Sequence, residues 1–400
     1  MTISHVVELR FKKQPDRRLQ LDYEQVLMFK WQRRFEGRSQ LEPVFDLSAY
    51  KCRAVIDWVD IEVLLGRPSQ FRHLQDTIGQ VLPRVQWVEP LEHHPGGTAS
   101  RFRIRIQQPS LAQVEQALNA ARLEYAFGAE PIVTGLEVSV DFTPKDFSDD
   151  ARARMVGLLV WHLFPDFDFM SNDADHPRFT WGKRKDQTRH LIKSNNKALS
   201  PGDYTRHNLG DRPSPVDATF YVGRAHGPLY WSVQNKVSDQ RNPGKGTVAE
   251  LAEKDRRARV EVTLGIEELA EMGIKHFSDL RRFRFGKLQG RYFRVMLPTI
   301  LTDPRGEHPM ADVLLDRRRI TKFKNTGVVG LAAMDDAREA MKVEHRSELT
   351  KAHKRIETKA RKRIAPKTRV GIGSSGSFVA YEGLGRRFES ALRQLTKSQR

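Results

Sequence analysis

The sequence predicts an α+β protein whose sheet has helices on one face and a ferredoxin-like or RNA-recognition-like core, followed by a long basic C-terminal helix. Two observations predict this fold class. Between residues 54 and 165, strand-like segments alternate with segments whose apolar residues recur at helical spacing. Beyond residue 331 the chain is rich in Ala, Glu, Lys and Arg, with few apolar positions, which is typical of a long exposed helix.

The strands are predicted from alternation or from β-branched content. They cover residues 54–65, 101–107, 134–142 and 258–265. Two strands are also expected within residues 219–236, and short ones at 178–182 and 189–194 inside the polar loop 165–215.

The helices are predicted from apolar residues at helical spacing. Three of them follow Pro68, Ser110 and Ser148, and serine is a favoured N-cap residue. A fourth begins at residue 266 and ends at Gly273, since glycine favours helix C-termini.

The chain divides by composition into four regions. Residues 1–50 read as an N-terminal adapter segment, with a helix over 22–36, and residues 54–300 form the main domain. Residues 331–365 form a basic helical arm, and residues 371–400 a flexible Gly/Ser break with a terminal helix.

Charge is the strongest global signal. There are 68 Lys and Arg against 50 Asp and Glu, which gives +18 and a pI near 10.0. Nucleic acid is the partner that this balance favours. An acidic membrane surface and a solvated basic surface without such a partner are the alternatives.

Several classes of protein are disfavoured by composition. No window is apolar enough for a membrane span, and the N-terminus lacks a signal-peptide pattern. Cys52 is the one cysteine, so neither a disulfide framework nor a cysteine-rich zinc site is expected. We therefore expect a cytoplasmic protein that does not enter a membrane.

Acidic residues stand inside otherwise apolar strands. They are Asp60 and Glu62, Glu137 and Asp141, and Glu261 between two valines. Burial of a lone carboxylate is costly, and a divalent cation such as Mg²⁺ or Mn²⁺ would offset that cost. The alternative is that these acids face solvent or pair with the many arginines.

Residues 218–239 and 257–265 resemble the replication initiation factor family, the rolling-circle initiators of plasmids, filamentous phages and integrative elements (Rep_trans type). The matched pattern is Thr-x-Tyr-x-Gly, a strand ending in lysine, and Arg-x-Glu in an apolar strand. Its positions here are Thr219, Tyr221, Gly223, Lys236, Arg259 and Glu261. The resemblance implies a metal-dependent enzyme that nicks and rejoins origin DNA through a tyrosine-phosphodiester intermediate, with residues 54–300 as the nicking domain.

One position departs from the family pattern. Gln234 stands where a tyrosine is expected, two residues before Lys236. Tyr230 lies four residues earlier on the same strand face, and Tyr221 lies on the preceding strand. The two tyrosines are therefore the first and second candidate nucleophiles, with a structural aromatic as the alternative for each. A phenol needs a nearby cation to ionise, and Lys236, Arg224 or the metal ion would supply it.

Further residues are predicted to bind DNA, single-stranded and duplex, through phosphates or base stacking. They are Arg224, Trp231, Arg259, Lys354, Arg355, Arg361, Lys362 and Arg363. A host helicase and a second copy of the chain are further candidate partners. Two other functions stay open: a catalytically inactive DNA-binding descendant, and an RNA-binding protein that uses the same kind of sheet.

Overall fold

The computed structural model describes residues 5–28, 35–82, 87–170, 172–182, 184–192, 210–242, 247–303, 306, 308–360 and 378–399 of the chain. Within them the fold is α+β, with two large antiparallel sheets and several helices, one of them long and near the C-terminus. The predicted fold class is confirmed at this level.

The larger sheet has nine strands, all antiparallel to their neighbours. They are β4 (Tyr50–Ser69), β5 (Trp87–Pro90), β6 (Ala99–Gln107), β7 (Ile132–Pro144), β8 (Arg178–Thr180), β9 (Thr188–His190), β10 (Thr219–Val222), β11 (Leu229–Lys236) and β14 (Arg257–Gly265). Their spatial order is β5-β6-β4-β7-β14-β11-β10-β8-β9. Every strand predicted from the sequence overlaps a strand of this sheet. The predicted strand 189–194 does so only at residues 189 and 190, and residues 193–194 lie outside the described residues.

The helices are α1 (Phe71–Gly79), α2 (Leu111–Tyr125), α3 (Asp149–His162), α4 (Ile266–Glu271), α5 (Phe277–Arg282), α6 (Gln289–Tyr292), α7 (Met310–Ala360) and α8 (Glu382–Ser398). The predicted caps are in place at two helices. Ser148 accepts a hydrogen bond from the Ala151 N–H at the start of α3, and Gly273 has a φ of 76° just beyond α4.

Helices pack on one face of the nine-stranded sheet. That face carries alternate apolar residues such as Ile104, Val138 and Val260, all fully buried. Phe388 of α8 packs edge-on against Phe142 of β7, with ring centroids 5.4 Å apart. Side chains alternate along a strand, so the strand residues on either side of these apolar ones lie on the opposite face of the sheet. We call that face the open face.

A second sheet joins the two ends of the chain. Its strands are β1 (His5–Arg10), β2 (Arg18–Leu27), β3 (Arg38–Pro43), β15 (Met296–Leu301) and β16 (Phe378–Ala380), in that spatial order. The predicted helix over residues 22–36 is wrong, because residues up to 27 continue β2 and Tyr23 points into the core. Residues 29–34 lie outside the described residues. A separate hairpin follows Lys236, formed by β12 (Ser238–Asn242) and β13 (Thr247–Glu250).

Helix α7 begins 21 residues before the predicted arm and is only partly exposed. It bends at Gly327, whose φ of 64° and ψ of −164° suit only glycine. Residues 328–337 are largely buried, so the predicted long exposed helix is wrong for the first residues of the arm, whereas the described side chains from 338 to 352 are exposed or half-buried. Residues 361–377, and with them Arg361, Lys362, Arg363 and the Gly/Ser break, lie outside the described residues, as do the side chains of Lys354 and Arg355.

Among the described residues, no helix has the length and apolar character needed to cross a bilayer.

Candidate functional site

A β-bulge in β4 shapes the open face. Ile56 pairs with Val138 and Trp58 with Glu137, so Asp57 is an extra residue with no partner of its own in β7. Both Asp57 and Trp58 are half-buried, while Ile56 and Val59 on either side point into the core. Asp57 therefore joins Trp58 on the open face.

Three carboxylates converge beside this bulge. Asp57, Glu137 and Glu261 each offer an oxygen, and these oxygens all lie within 4.8 Å of one another. We call these three residues the carboxylate cluster. Hydroxyl groups orient each member: Ser139 donates to Asp57, Thr263 to Glu137 (2.6 Å) and Ser232 to Glu261 (2.6 Å).

A buried arginine stabilises the negative charge of the cluster. Arg259 donates to both oxygens of Asp57 (3.0 and 2.8 Å) and to both oxygens of Asp141 (2.6 and 2.8 Å). It also lies 3.5 Å from Glu261. Its side chain is 5% exposed, and the surrounding carboxylates raise its pKa although burial alone would lower it.

The cluster keeps an excess of negative charge. Four carboxylates, those of the cluster and Asp141, face two guanidinium groups, Arg259 and Arg257, which leaves a formal charge of −2 when all are ionised. Burial and the neighbouring Glu261 raise the pKa of Glu137 to about 7. The three residues of the cluster offer the hard oxygen ligands that Mg²⁺ and Mn²⁺ prefer, and a divalent cation held by them would compensate the excess of negative charge.

Glu137 should make stability depend on pH in the metal-free protein. The unfolded carboxyl has a pKa near 4.5, so the folded chain binds the proton more tightly, and stability should fall as pH rises from about 4.5 to 7. Urea denaturation in a chelator should show a loss on the order of 2–3 kcal/mol between pH 5 and pH 8. Glu137→Gln should remove most of this loss, whereas Glu253→Gln, at an exposed position, should retain it. An unchanged pH dependence in Glu137→Gln would contradict the assignment.

The two candidate nucleophiles lie together on the open face. The rings of Tyr221 and Tyr230 stack with centroids 5.4 Å apart, and the guanidinium of Arg178 lies 5.7 and 5.9 Å from them. Tyr230 pairs with Thr263, which in turn pairs with Glu137, so its Cα is about 10 Å from that of Glu137. Burial raises the pKa of both phenols, and the charge of Glu261 raises them further.

Gly223 allows the turn that leads into this tyrosine pair. It adopts a φ of 86°, and a Cβ there would lie 2.5 Å from the Leu229 carbonyl oxygen. Glycine at this position of the Thr-x-Tyr-x-Gly pattern is therefore required by the backbone.

The five predicted metal ligands do not form one site. Asp60 binds Arg105 through two hydrogen bonds (2.7 and 2.6 Å), and Glu62 binds Arg101. Asp141 is held by Arg259 and Arg257. Of the predicted set, only Glu137 and Glu261 belong to the carboxylate cluster. The predicted alternative, pairing with arginine, describes Asp60, Glu62 and Asp141.

The two predicted phenol-activating cations, Lys236 and Arg224, each pair with an aspartate in the structure. Lys236 lies six residues from Tyr230 on β11, about 20 Å along the strand, and pairs with Asp239 (2.8 Å). Arg224 lies in the turn after β10 and pairs with Asp175 (3.4 Å). The cation beside both rings is instead Arg178.

Two predicted DNA contacts are wrong because the side chains are buried. Trp231 is 0% exposed, stacks on Phe167 and donates its indole N–H to the Tyr292 carbonyl (2.7 Å). Trp231 lies between Tyr230 and Ser232 of β11, which face the open side, so alternation puts Trp231 on the helix-covered face. The donors of Arg259 are engaged by carboxylates, so it contacts the cluster rather than a phosphate.

Asp57 and Arg178 are the site residues that sequence reasoning missed. Strict alternation puts Asp57 on the face opposite Asp60 and Glu62. The bulge moves Asp57 to the same face as these two residues, and no residue type in the sequence indicates a bulge there. Arg178 belongs to a predicted short strand, but its place beside Tyr221 depends on the β8–β10 pairing.

The chain matches no protein-family model and no curated protein.

Proposed function

We propose that the protein is a rolling-circle DNA replication initiator that nicks and rejoins origin DNA through a tyrosine-phosphodiester intermediate, with Mg²⁺ or Mn²⁺ as cofactor. The observation that carries the proposal is the carboxylate cluster lying on the same sheet face as the Tyr221–Tyr230 pair. Metal-assisted attack of a tyrosine on a phosphodiester requires such an arrangement.

The proposal includes a ferredoxin-like core. Segments β4, α1, β5, β6, α2 and β7 follow one another in a βαββαβ run, and the strands lie in the order β7-β4-β6-β5. This run is the supersecondary pattern of ferredoxin-like and RNA-recognition-like folds. The open face of the sheet would then carry the nucleic acid.

The chemistry follows from the residues of the site. Asp57, Glu137 and Glu261 would hold the metal ion, which would offset the charge of Glu261 and polarise a phosphate oxygen. The phenol oxygen of Tyr230, or of Tyr221, forms a bond to phosphorus while the bond to the 3′-oxygen breaks. That oxygen takes up the proton that the phenol loses, which leaves a 5′-phosphotyrosyl link and a 3′-hydroxyl primer.

Covalent adduct formation tests the proposal. Random-sequence single-stranded DNA with Mn²⁺ should give an adduct that survives denaturing electrophoresis, and mass spectrometry should map it to Tyr230. Tyr230→Phe should abolish the adduct, because it removes the attacking hydroxyl and keeps the ring. Tyr221→Phe is the matched control, because the Tyr221 ring stacks on that of Tyr230. An adduct on a peptide that contains neither tyrosine would refute the assignment.

A catalytically inactive origin-binding protein is the second candidate, and Gln234 favours it. Gln234 pairs with Arg259 across β11 and β14. A tyrosine at position 234 would thus stand next to the Arg259 position, where a cation favours the phenolate. If the native chain forms no adduct, Gln234→Tyr should therefore create one. DNA binding without an adduct in both the native chain and the variant would support the inactive protein.

A further inference from the structure

A notch lies at the edge of the nine-stranded sheet, next to the carboxylate cluster. Strand β6 pairs with β4 only from Trp58 onward, so the earlier half of β4 has a free edge there. This edge, the segment before β14 and the end of α8 enclose about 500 Å³. We call this cavity the Arg53 notch, after the exposed arginine on its β4 side.

The notch is rich in positive charge. Arg53, Lys254, Arg257 and Arg259 line it against two acids, Asp141 and Asp255. Both oxygens of Asp141 already accept hydrogen bonds from Arg259, and Arg257 lies 3.0 Å from one of them.

Two of these cations form no ion pair within the described residues. The side chains of Arg53 and Lys254 are both exposed, and neither has a hydrogen-bond or ion-pair partner there. By contrast, Arg101, Arg103 and Arg105 of β6 each pair with a carboxylate. The Nε of Arg257 is buried without a hydrogen-bond acceptor of suitable geometry. Unpaired cations around a concave space are suited to bind a phosphate.

The notch is continuous with the proposed cleavage site. Arg257 and Glu261 lie on the same face of β14, four residues or about 13 Å apart, and Arg259 between them contacts both Asp141 and Asp57. A single strand that crosses the carboxylate cluster would reach the notch within a few nucleotides. The cavity is of a size that suits one nucleotide and too small for a duplex.

We infer that the Arg53 notch binds a backbone phosphate of single-stranded nucleic acid, one to a few nucleotides from the phosphodiester at the carboxylate cluster. Arg53 and Lys254 supply the charge from either side, and Arg257 the inner donor. This inference rests on the proposed function for the path of the strand, but it concerns binding and not cleavage.

Binding of an oligonucleotide in a chelator tests the notch without any cleavage. A fluorescein-labelled oligothymidylate of about 15 nucleotides should bind the full chain, as followed by fluorescence anisotropy over a range of salt concentrations. The double variant Arg53→Ala/Lys254→Ala should bind at least about tenfold more weakly near physiological salt. The slope of log K against log salt should become shallower by about 0.7, because the contact with one phosphate is lost.

The matched control removes the same charge elsewhere. Arg67 lies near the end of β4 and Lys275 beside the start of β7, at the end of these two strands that is far from the notch. Both side chains are exposed, so Arg67→Ala/Lys275→Ala should leave the salt slope unchanged. Equal weakening of both double variants, or no weakening of either, would overturn the inference, as would absence of binding by the native chain. Displacement of the oligonucleotide by millimolar inorganic phosphate at constant ionic strength would show a free-anion site instead.

The result is separable from the adduct assay. Notch-dependent binding without an adduct would leave the inference standing and remove the nicking function. An adduct formed equally well by the native chain and by the Arg53→Ala/Lys254→Ala variant would support nicking and count against the notch.

Discussion

Replacement of Arg259 by methionine is expected to lower the free energy of unfolding by about 3–5 kcal/mol. The guanidinium is 5% exposed and donates to Asp57 and Asp141 while lying beside Glu261. Methionine fills similar volume but leaves these carboxylates facing one another without the central positive charge. Urea denaturation at pH 7 in a chelator measures the loss. The loss should shrink in acid, where carboxylates are protonated in folded and unfolded chains alike.

Arg103→Met is the control for Arg259→Met. Arg103 lies on the same sheet face and pairs with Glu89 at 3.7 Å, but both side chains are more than 40% exposed. Solvent screens such a pair, so its loss should cost no more than about 1 kcal/mol. Similar losses in the two variants would show that Arg259 does not act as the central counter-charge. Added Mn²⁺ should recover part of the stability lost in Arg259→Met, since a cation would then face the same carboxylates.

The nine-stranded sheet was the part of the fold open to sequence reasoning. Segments such as 101–107 alternate cleanly, with Phe102, Ile104 and Ile106 on one face and three arginines on the other, and they form strands as predicted. Glu261 likewise lies on the face opposite Val260 and Val262. Alternation determines which face a residue occupies, and it did so wherever a strand is regular.

Long-range pairing decided the rest. Residues 22–27 carry a mixed pattern that suits a helix in isolation, yet they form the second half of β2, because β1 pairs with residues 18–23 and β3 with residues 23–27. The buried stretch of α7 is alanine-rich and reads as a surface helix, but small residues allow it to pack closely on α3 at Trp161, where a Cβ on Gly327 would come within 2.8 Å of the Trp161 backbone. Neither result is encoded in the local sequence.

Long-range pairing also determines which of the predicted carboxylates lie together in the site. Two-residue spacing put Asp60 and Glu62 on one strand face, and the structure agrees, but each pairs with an arginine of β6. Asp60 binds Arg105 directly opposite, and Glu62 binds Arg101, two residues along from its opposite position. The neighbour that reaches Glu137 and Glu261 is Asp57, through a one-residue bulge. Which acids pair with arginine and which converge depends on strand register, which a single sequence does not specify.

Glu261→Gln is expected to reduce Mn²⁺-dependent adduct formation by about 100-fold or more, with oligonucleotide binding in a chelator near normal. Glutamine keeps the shape of the side chain and still accepts the Ser232 hydrogen bond, but it removes one of the three converging negative charges. Loss of metal affinity should also appear without any assay of activity. Saturating Mn²⁺ should raise the unfolding free energy of the native chain by about 2.7 kcal/mol at 100 times its Kd, and Glu261→Gln should lose most of this gain.

Glu62→Gln is the decisive comparison for Glu261→Gln. The sequence predicts both carboxylates as metal ligands, and only the strand register shows that they lie at different places on the sheet. Glu62 pairs with Arg101 and has no oxygen in the carboxylate cluster. Its variant should therefore keep both the adduct and the stabilisation by Mn²⁺, whereas Asp57→Asn should lose both, as Glu261→Gln does. If Glu62→Gln instead abolished the Mn²⁺ effect while Asp57→Asn retained it, the metal site would lie toward β6 and the carboxylate cluster would be a structural charge network around Arg259.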